Sequence, residues 1–373
     1  AEYTFILEGC EIRKVSDQRI EGWAEQNTPN VWSHDAHQEY RIHFVIEFDR
    51  PMSSFGRWAD DEIKRGVSRL QTERIKDAGA FAEFDTREHR VVQVRTGISL
   101  VSVENAGLNL EREIAIPYGW DFEAVQQGQR RAWNEILGRV QIESQDRREK
   151  VRFYSNLYRS FCRNTWSDVD GRWRDPAETI RRFEDPDAVA LGCDAFWNTF
   201  WNLNQVWNLV TPEWSSRWVK SQLALYDACG WLAKGPAGME YVPVMVAEHE
   251  IPLLVGAYQM GIRDYDCEKA FEAVHKMQTT AGRSVARGFA GNRDLLAYMK
   301  HRYVPVDEGR ASNTLEYAYD DWTVAQFAQA LGKTAEHATF TERSTWWRNM
   351  FDAETGFARL KKADGKWVSP FDP

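Results

Sequence analysis

The residues best suited to chemistry fall in one run, Thr314-Leu315-Glu316-Tyr317-Ala318-Tyr319-Asp320-Asp321-Trp322, in the C-terminal third of the chain. It holds three carboxylates and three aromatics. At helical spacing Glu316 and Asp320 are i and i+4, so they share a face. Neighbouring carboxylates repel one another, which shifts their protonation, and Tyr or Trp rings beside them suit the apolar faces of a sugar. A plain helix start fits the same run: Asn313 or Thr314 as N-cap, acids at the positive end of the helix dipole, aromatics in the core.

A second run, Ala195-Phe196-Trp197-Asn198-Thr199-Phe200-Trp201-Asn202-Leu203-Asn204-Gln205-Val206-Trp207, mixes amides and aromatics. On a helix Asn198 and Asn202 would be i and i+4, as would Trp197 and Trp201. Asparagine is a poor helix-interior residue, so several together need a reason. Amides that bind sugar hydroxyls beside Trp platforms are one reason; an N-cap followed by core Trp is the other.

Other candidate sites read more plainly. Ser167-Asp168-Val169-Asp170-Gly171 begins like a calcium loop but lacks the later ligands and the closing Glu, so a turn is the better reading. Glu248-His249-Glu250 is not a zinc-protease helix, because no second His follows at the required spacing. Ala363-Asp364-Gly365-Lys366-Trp367 reads as a hairpin turn. The sequence has no nucleophile elbow, P-loop or dinucleotide fingerprint in a matching context.

Composition narrows the partners. The 373 residues carry a formal charge of -9, which argues against nucleic acid and against an anionic membrane surface. No apolar run approaches the ~18 residues of a membrane span. The unusual figure is 17 Trp, concentrated between Trp166 and Trp231, which suits either a helical core or an aromatic-lined carbohydrate cleft. The five cysteines (Cys10, Cys162, Cys193, Cys229, Cys267) show no ligand or disulfide spacing and read as buried free thiols.

The elements that must position these residues change character along the chain. Up to about residue 118 the pattern is β: Tyr40 to Phe48, His89 to Val94 and Gly97 to Val103 alternate or run apolar, with a turn-rich stretch at Gln26 to Asn30. This predicts an antiparallel sandwich over 1–118. A one-sided apolar stripe over Glu123 to Val140 predicts a linker helix within 119–145. From Asp146 onward helices follow one another, at Thr199–Leu209, Ser215–Leu232, Val242–Met260, Asp266–Ala281, Arg293–Met299, Asp321–Leu331 and Glu336–Met350, which predicts part of an α/α barrel over 146–373.

Several of these segments, taken in order, resemble one family. They are Gly97 to Leu110, Trp120-Asp121-Phe122, Ser167 to Gly171, Trp197-Asn198-Thr199-Phe200, Gly230-Trp231-Leu232-Ala233-Lys234, Gly261 to Tyr265, Thr314 to Trp322 and Phe351 to Phe357. The chain resembles glycoside hydrolase family 92, the calcium-dependent exo-acting α-mannosidases, over nearly its whole length. The resemblance implies a multidomain β + α protein: a partial N-terminal β-sandwich, a partial (α/α)6-type barrel, and an active site between them. It implies inversion at the anomeric carbon by one carboxylic acid and one carboxylate base. It also implies a mannose-containing glycan as partner, calcium as cofactor, and a secreted or periplasmic location.

The sequence departs from the family pattern in two ways. The segments that carry the family's general acid, base and calcium ligands are expected beyond Pro373, so no catalytic residue and no metal ligand is named in this chain. The expected partner of its helices is then the remainder of its own barrel, and the chain alone is expected to be inactive. The second departure lies around Trp197, where the family carries an Asp and an Arg: this chain has Asn198 and Trp201. The charge of the first is lost, and the hydroxyl-binding fork of the second becomes a stacking face. The residues expected to touch substrate are Trp197, Asn198 and Trp201, followed by Glu316, Asp320 and Asp321. The competing expectation is a non-catalytic glycan-binding module that uses the Trp-rich cleft.

Overall fold

The structure is a computed structural model and describes residues 6–29, 37–75, 77–161, 164–192, 196–237, 240–241, 247–285 and 288–371. Cys162, Cys193 and the first residues of the helix expected from Val242 lie outside that set. The chain divides into two compact units, Ala1–Ala190 and Leu191–Pro373.

The first unit opens with antiparallel sheet. Strands β1 (Ile6–Ser16), β2 (Arg19–Pro29), β3 (His37–Phe48), β6 (Arg69–Ile75) and β8 (Val94–Ser99) form a five-stranded sheet in the order β6-β1-β2-β3-β8. Strands β4 (Ser54–Ala59), β5 (Glu62–Arg65) and β7 (Ala78–Glu83) form a second sheet, ordered β5-β4-β7. Apolar side chains of both sheets meet in a core of Ile20, Phe48, Met52 and Phe55, flanked by Ile46, Ala80, Ala82 and Val92. This is the packing that period-2 alternation predicts. Gly22 on β2 is there for close approach: a Cβ on it would stand 1.9 Å from the Glu11 carbonyl oxygen of β1.

Three local expectations give way. Gln26 to Pro29 is strand, not turn, because Gln26 pairs with Tyr40 and Pro29 with His37 in the β2–β3 ladder. Strand β8 begins only at Val94, so His89 to Gln93 is irregular. Beyond Ser99 the β idiom ends: Ser102 Oγ accepts the Asn105 amide at 3.1 Å and starts helix α1 (Val103–Leu110). That helix lays Ala106 and Leu110 on Val45 of the large sheet.

Helices α2 (Phe122–Leu137) and α3 (Arg147–Ser160) follow. Their N-caps are Asp121, which accepts the Ala124 amide, and Asp146, which accepts the Arg148 amide. Trp133 of α2 packs on Tyr158 of α3 with ring centroids 4.3 Å apart. The expected turn at Ser167–Gly171 is present, with Gly171 at φ +82.

The second unit is helical. It comprises a 3₁₀ turn at Thr199–Trp201, α4 (Leu203–Val210), α5 (Pro212–Cys229), α6 (Glu250–Gln259), α7 (Cys267–Thr279), α8 (Leu295–His301), α9 (Asn313–Ala330) and α10 (Thr334–Arg343). Among the described residues these helices form no closed barrel. Helix α9 is the hub, packed on α6, α7 and α10. Its small and apolar buried residues (Ala318, Val324, Ala325, Phe327, Ala328) allow those neighbours to approach. Among the described residues no helix is long and apolar enough to cross a membrane.

Candidate functional site

The run 196–207 is not one helix. Asn198 has φ +60 and ψ +7, a left-handed conformation that Asn tolerates better than most residues, and it breaks the segment into a turn, the 3₁₀ turn and α4. The i, i+4 pairing of Trp197 with Trp201 therefore does not form. Both rings are instead pushed outward, Trp197 at 44% and Trp201 at 69% exposure, while Phe196 and Trp207 go into the core. Exposed Trp on a tight turn is the geometry of a stacking platform, since burial no longer explains the residue type.

That turn is tied to the acidic run on α9 through a residue of the segment before α6. His249 is 1% exposed, and its Nδ1 accepts the Asn198 backbone amide at 3.3 Å. Its Nε2 stands 3.2 Å from Glu316 Oε2. The Phe200 ring meets the His249 ring edge-on at 4.7 Å and stacks on Tyr319 at 4.3 Å. Tyr319 in turn stacks near Trp322 at 6.0 Å. The structure thus brings Asn198 and Glu316 to one imidazole, and the aromatics at 200, 201, 319 and 322 into one band.

Asp320 and Asp321 behave differently from Glu316. Both are fully buried. Asp320 Oδ2 accepts the Glu248 amide at 3.2 Å and lies 3.4 Å from Gln278 Nε2. Burial, with Glu248, Glu316 and Asp321 close by, holds the Asp320 carboxyl well above the usual carboxylate range. Asp321 is gripped by Arg343 through both oxygens, Nη2 to Oδ1 at 2.8 Å and Nε to Oδ2 at 3.1 Å. The Tyr298 hydroxyl donates to Oδ2 at 2.9 Å. Burial pushes Asp321 up to about 7 against the downward pull of Arg343 and of these hydrogen bonds. These two acids lock α9 to its neighbours and offer no surface to a ligand.

Sequence reasoning set the Glu248-His249-Glu250 triplet aside as no zinc-protease helix and gave it no other role. All three are at most 1% exposed. Glu248 Oε1 lies 3.2 Å from Lys234 Nζ. Among the described residues neither oxygen of Glu250 meets a hydrogen-bond donor, and burial beside Glu248 keeps its carboxyl well above its ordinary range. The available signal was three adjacent titratable residues directly before the apolar run Ile251 to Val255. Such residues are rarely buried without a partner to hold them.

The turn at 167–171 is structural. Asp168 takes hydrogen bonds from Asn109 Nδ2 and Ser99 Oγ, each at 2.7 Å, so protein donors occupy its carboxylate. Among the described residues no three His, Cys, Asp or Glu side chains converge so as to hold a metal ion.

Comparison with known proteins accords with this architecture. Residues 5–99 match the glycosyl hydrolase family 92 N-terminal domain, and residues 105–373 match the family 92 catalytic domain. A family 92 inverting mannosidase from Bacteroides thetaiotaomicron is 27% identical, with a TM-score of 0.86 over 98% of this chain and 48% of that one. A family 92 α-mannosidase from the same organism, solved in complex with mannoimidazole, is 25% identical, with a TM-score of 0.84 over 98% of this chain and 46% of that one. A secreted glycosidase of Arthroderma benhamiae is 24% identical over 79% of this chain and 35% of its own length. The chain spans about half the length of these solved structures and about a third of the fungal protein. A catalytic-domain match over most of the chain, preceded by the matching N-terminal domain, establishes that this chain belongs to glycosyl hydrolase family 92.

Proposed function

We propose that the whole protein is an exo-acting glycosidase that hydrolyses α-mannosidic bonds of glycans with inversion, outside the cytoplasm. Residues 1–373 supply part of its sugar-binding surface. The observation that carries this reading is the outward-facing pair Trp197 and Trp201 on a turn whose Asn198 amide is tied through His249 to Glu316. Stacking rings next to a carboxylate acceptor suit a neutral, polyhydroxylated ligand. Trp197, Asn198, Trp201 and Glu316 are the proposed contact residues, with Asp320 and Asp321 holding α9 in place. The inverting mannosidase and the mannoimidazole complex among the relatives favour mannose over other sugars.

The general acid, the general base and the calcium ligands are proposed to lie outside residues 1–373, and no catalytic step is assigned to this chain. The domain limits proposed with this reading remain 1–118, 119–145 and 146–373.

The test is hydrolysis of α-mannosides by the full-length protein, with calcium and after chelation, with the first-formed anomer read by proton NMR. The expected result is β-mannose, lost on chelation and regained with calcium. Retention of configuration, or no turnover of any α-mannoside, overturns the reading. Glycan binding without turnover would install the binding-module alternative, to which the exchange of a charged pair for Asn198 and Trp201 is suited.

A further inference from the structure

We propose that His249 is a positioning residue that sets the Asn198 turn and the Glu316 carboxylate in one geometry, leaving Glu316 Oε1 to accept a hydroxyl of a neutral pyranoside. The inference deepens the glycosidase reading above and rests on it.

The argument starts from the proton. His249 Nδ1 faces a backbone N–H, that of Asn198, at 3.3 Å. An amide can only donate, so this nitrogen must carry its lone pair, and the ring proton sits on Nε2. Nε2 is the atom that stands 3.2 Å from Glu316 Oε2. Among the described residues Nε2 makes no formed hydrogen bond, so this approach is a close contact and not a completed hydrogen bond. Such bonds commonly tighten when substrate arrives.

The ring has little freedom to choose otherwise. It is 1% exposed and packed against the edge of Phe200 at 4.7 Å. A ring flip would set a C–H against the Asn198 amide and leave a buried donor unmet. The flanking backbone is committed as well: Asn198 and Ala247 both have φ +60. Non-glycine residues rarely hold that conformation unless their surroundings impose it.

The Glu316 side chain is 26% exposed, in contrast to Asp320 and Asp321. With Oε2 turned to His249, Oε1 is the oxygen available to a ligand. An ionised carboxylate accepts hydrogen bonds and repels anions. The site therefore selects hydroxyl donors and rejects phosphorylated or acidic sugars.

The test uses three variants of the full-length protein. In His249→Gln the amide nitrogen takes the place of Nε2 and keeps the donor to Glu316. In His249→Asn the amide oxygen takes the place of Nδ1 and keeps only the acceptor for Asn198. His249→Phe keeps neither. Expected is the smallest loss of kcat/KM for His249→Gln, roughly three- to tenfold because the Asn198 amide is left unmet, and losses of roughly 10- to 100-fold for the other two, the factor one charge-assisted hydrogen bond is worth. Nitrogen-15 NMR of the histidines, with no substrate present, should show a bare Nδ1 and a protonated Nε2 for the resonance lost in all three variants. The opposite tautomer, or His249→Asn performing as well as His249→Gln, overturns the inference while wild-type turnover stands. A wild type that neither turns over α-mannosides nor binds glycan overturns the glycosidase reading and removes the sugar from this inference too.

Discussion

Replacing Arg343 by Met tests how a buried carboxylate on α9 is kept. Arg343 is 2% exposed and holds both oxygens of Asp321. It also donates to the Gln278 carbonyl at 2.8 Å, which fastens α10 to the end of α7. Methionine fills similar volume with no donor. At pH 5 Asp321 already carries a proton in the folded wild type, because its pKa is raised from 3.8 to about 7. The substitution then removes only hydrogen bonds to neutral groups, at a cost of about 1–2 kcal/mol.

Above pH 7 the costs diverge. A raised carboxyl pKa gives stability that is fully present below 3.8 and declines as pH rises, at about 1.4 kcal/mol per pH unit, until the folded pKa is passed. In the wild type that decline ends near 7. Without the guanidinium the folded pKa moves higher, so the variant goes on losing stability. The extra cost should grow to about 4 kcal/mol by pH 9, near the usual penalty for breaking a buried ion pair. Urea unfolding of both proteins from pH 5 to 9 measures it, and adding Asp321→Asn to the variant should abolish the growth. A stability difference that stays flat across that range would refute the reasoning, since Asp321 would then be ionised throughout and pairing, not burial, would govern it.

Other consequences are more local. Asn198→Gly should keep the fold because glycine accepts φ +60 but weaken glycan binding through loss of the side-chain amide, whereas Asn198→Val should cost about 1–2 kcal/mol in thermal unfolding as well. Trp201→Ala, at a ring 69% exposed, should change stability by less than about 0.5 kcal/mol yet weaken glycan affinity roughly tenfold by calorimetry. His43, buried on β3 with neither ring nitrogen hydrogen-bonded among the described residues, has its pKa lowered from 6.5 to about 4 by burial and by Arg41 and Arg174. A depressed histidine gives stability that is present above 6.5 and lost as pH falls toward 4, so the wild type should lose about 3 kcal/mol over that window relative to His43→Phe, as read by denaturant titration.

How far the sequence could carry these conclusions depended on the range of the forces involved. Alternation along Tyr40–Phe48 and the acids at Asp121, Asp146 and Asp266 are local signals, and the sheet and the helix starts follow them. The turn reading at Gln26–Pro29 and the strand reading at His89–Gln93 failed because ladder pairing, and not composition, decides where a strand ends. Val103 looked like more strand because β-branched residues precede it, yet the Ser102 cap outweighs that preference. The helical spacing drawn through Trp197 and Trp201 failed at Asn198, whose left-handed backbone nothing in the residue pattern required.

The same distinction separates the three acids of α9. In sequence Glu316, Asp320 and Asp321 are alike, each a carboxylate among aromatics. What divides them is contributed from far along the chain: Arg343 and Tyr298 take Asp321, Glu248 and Gln278 take Asp320, and His249 takes one oxygen of Glu316 while solvent still reaches the side chain. A carboxylate buried away from solvent and held by partners inside the fold costs too much to extract for a ligand. One that solvent still reaches, beside a partner at one oxygen, is both oriented and available. Of the three, Glu316 is therefore the one to expect at a sugar hydroxyl, and that ranking came from the partners, not from the run that first drew attention.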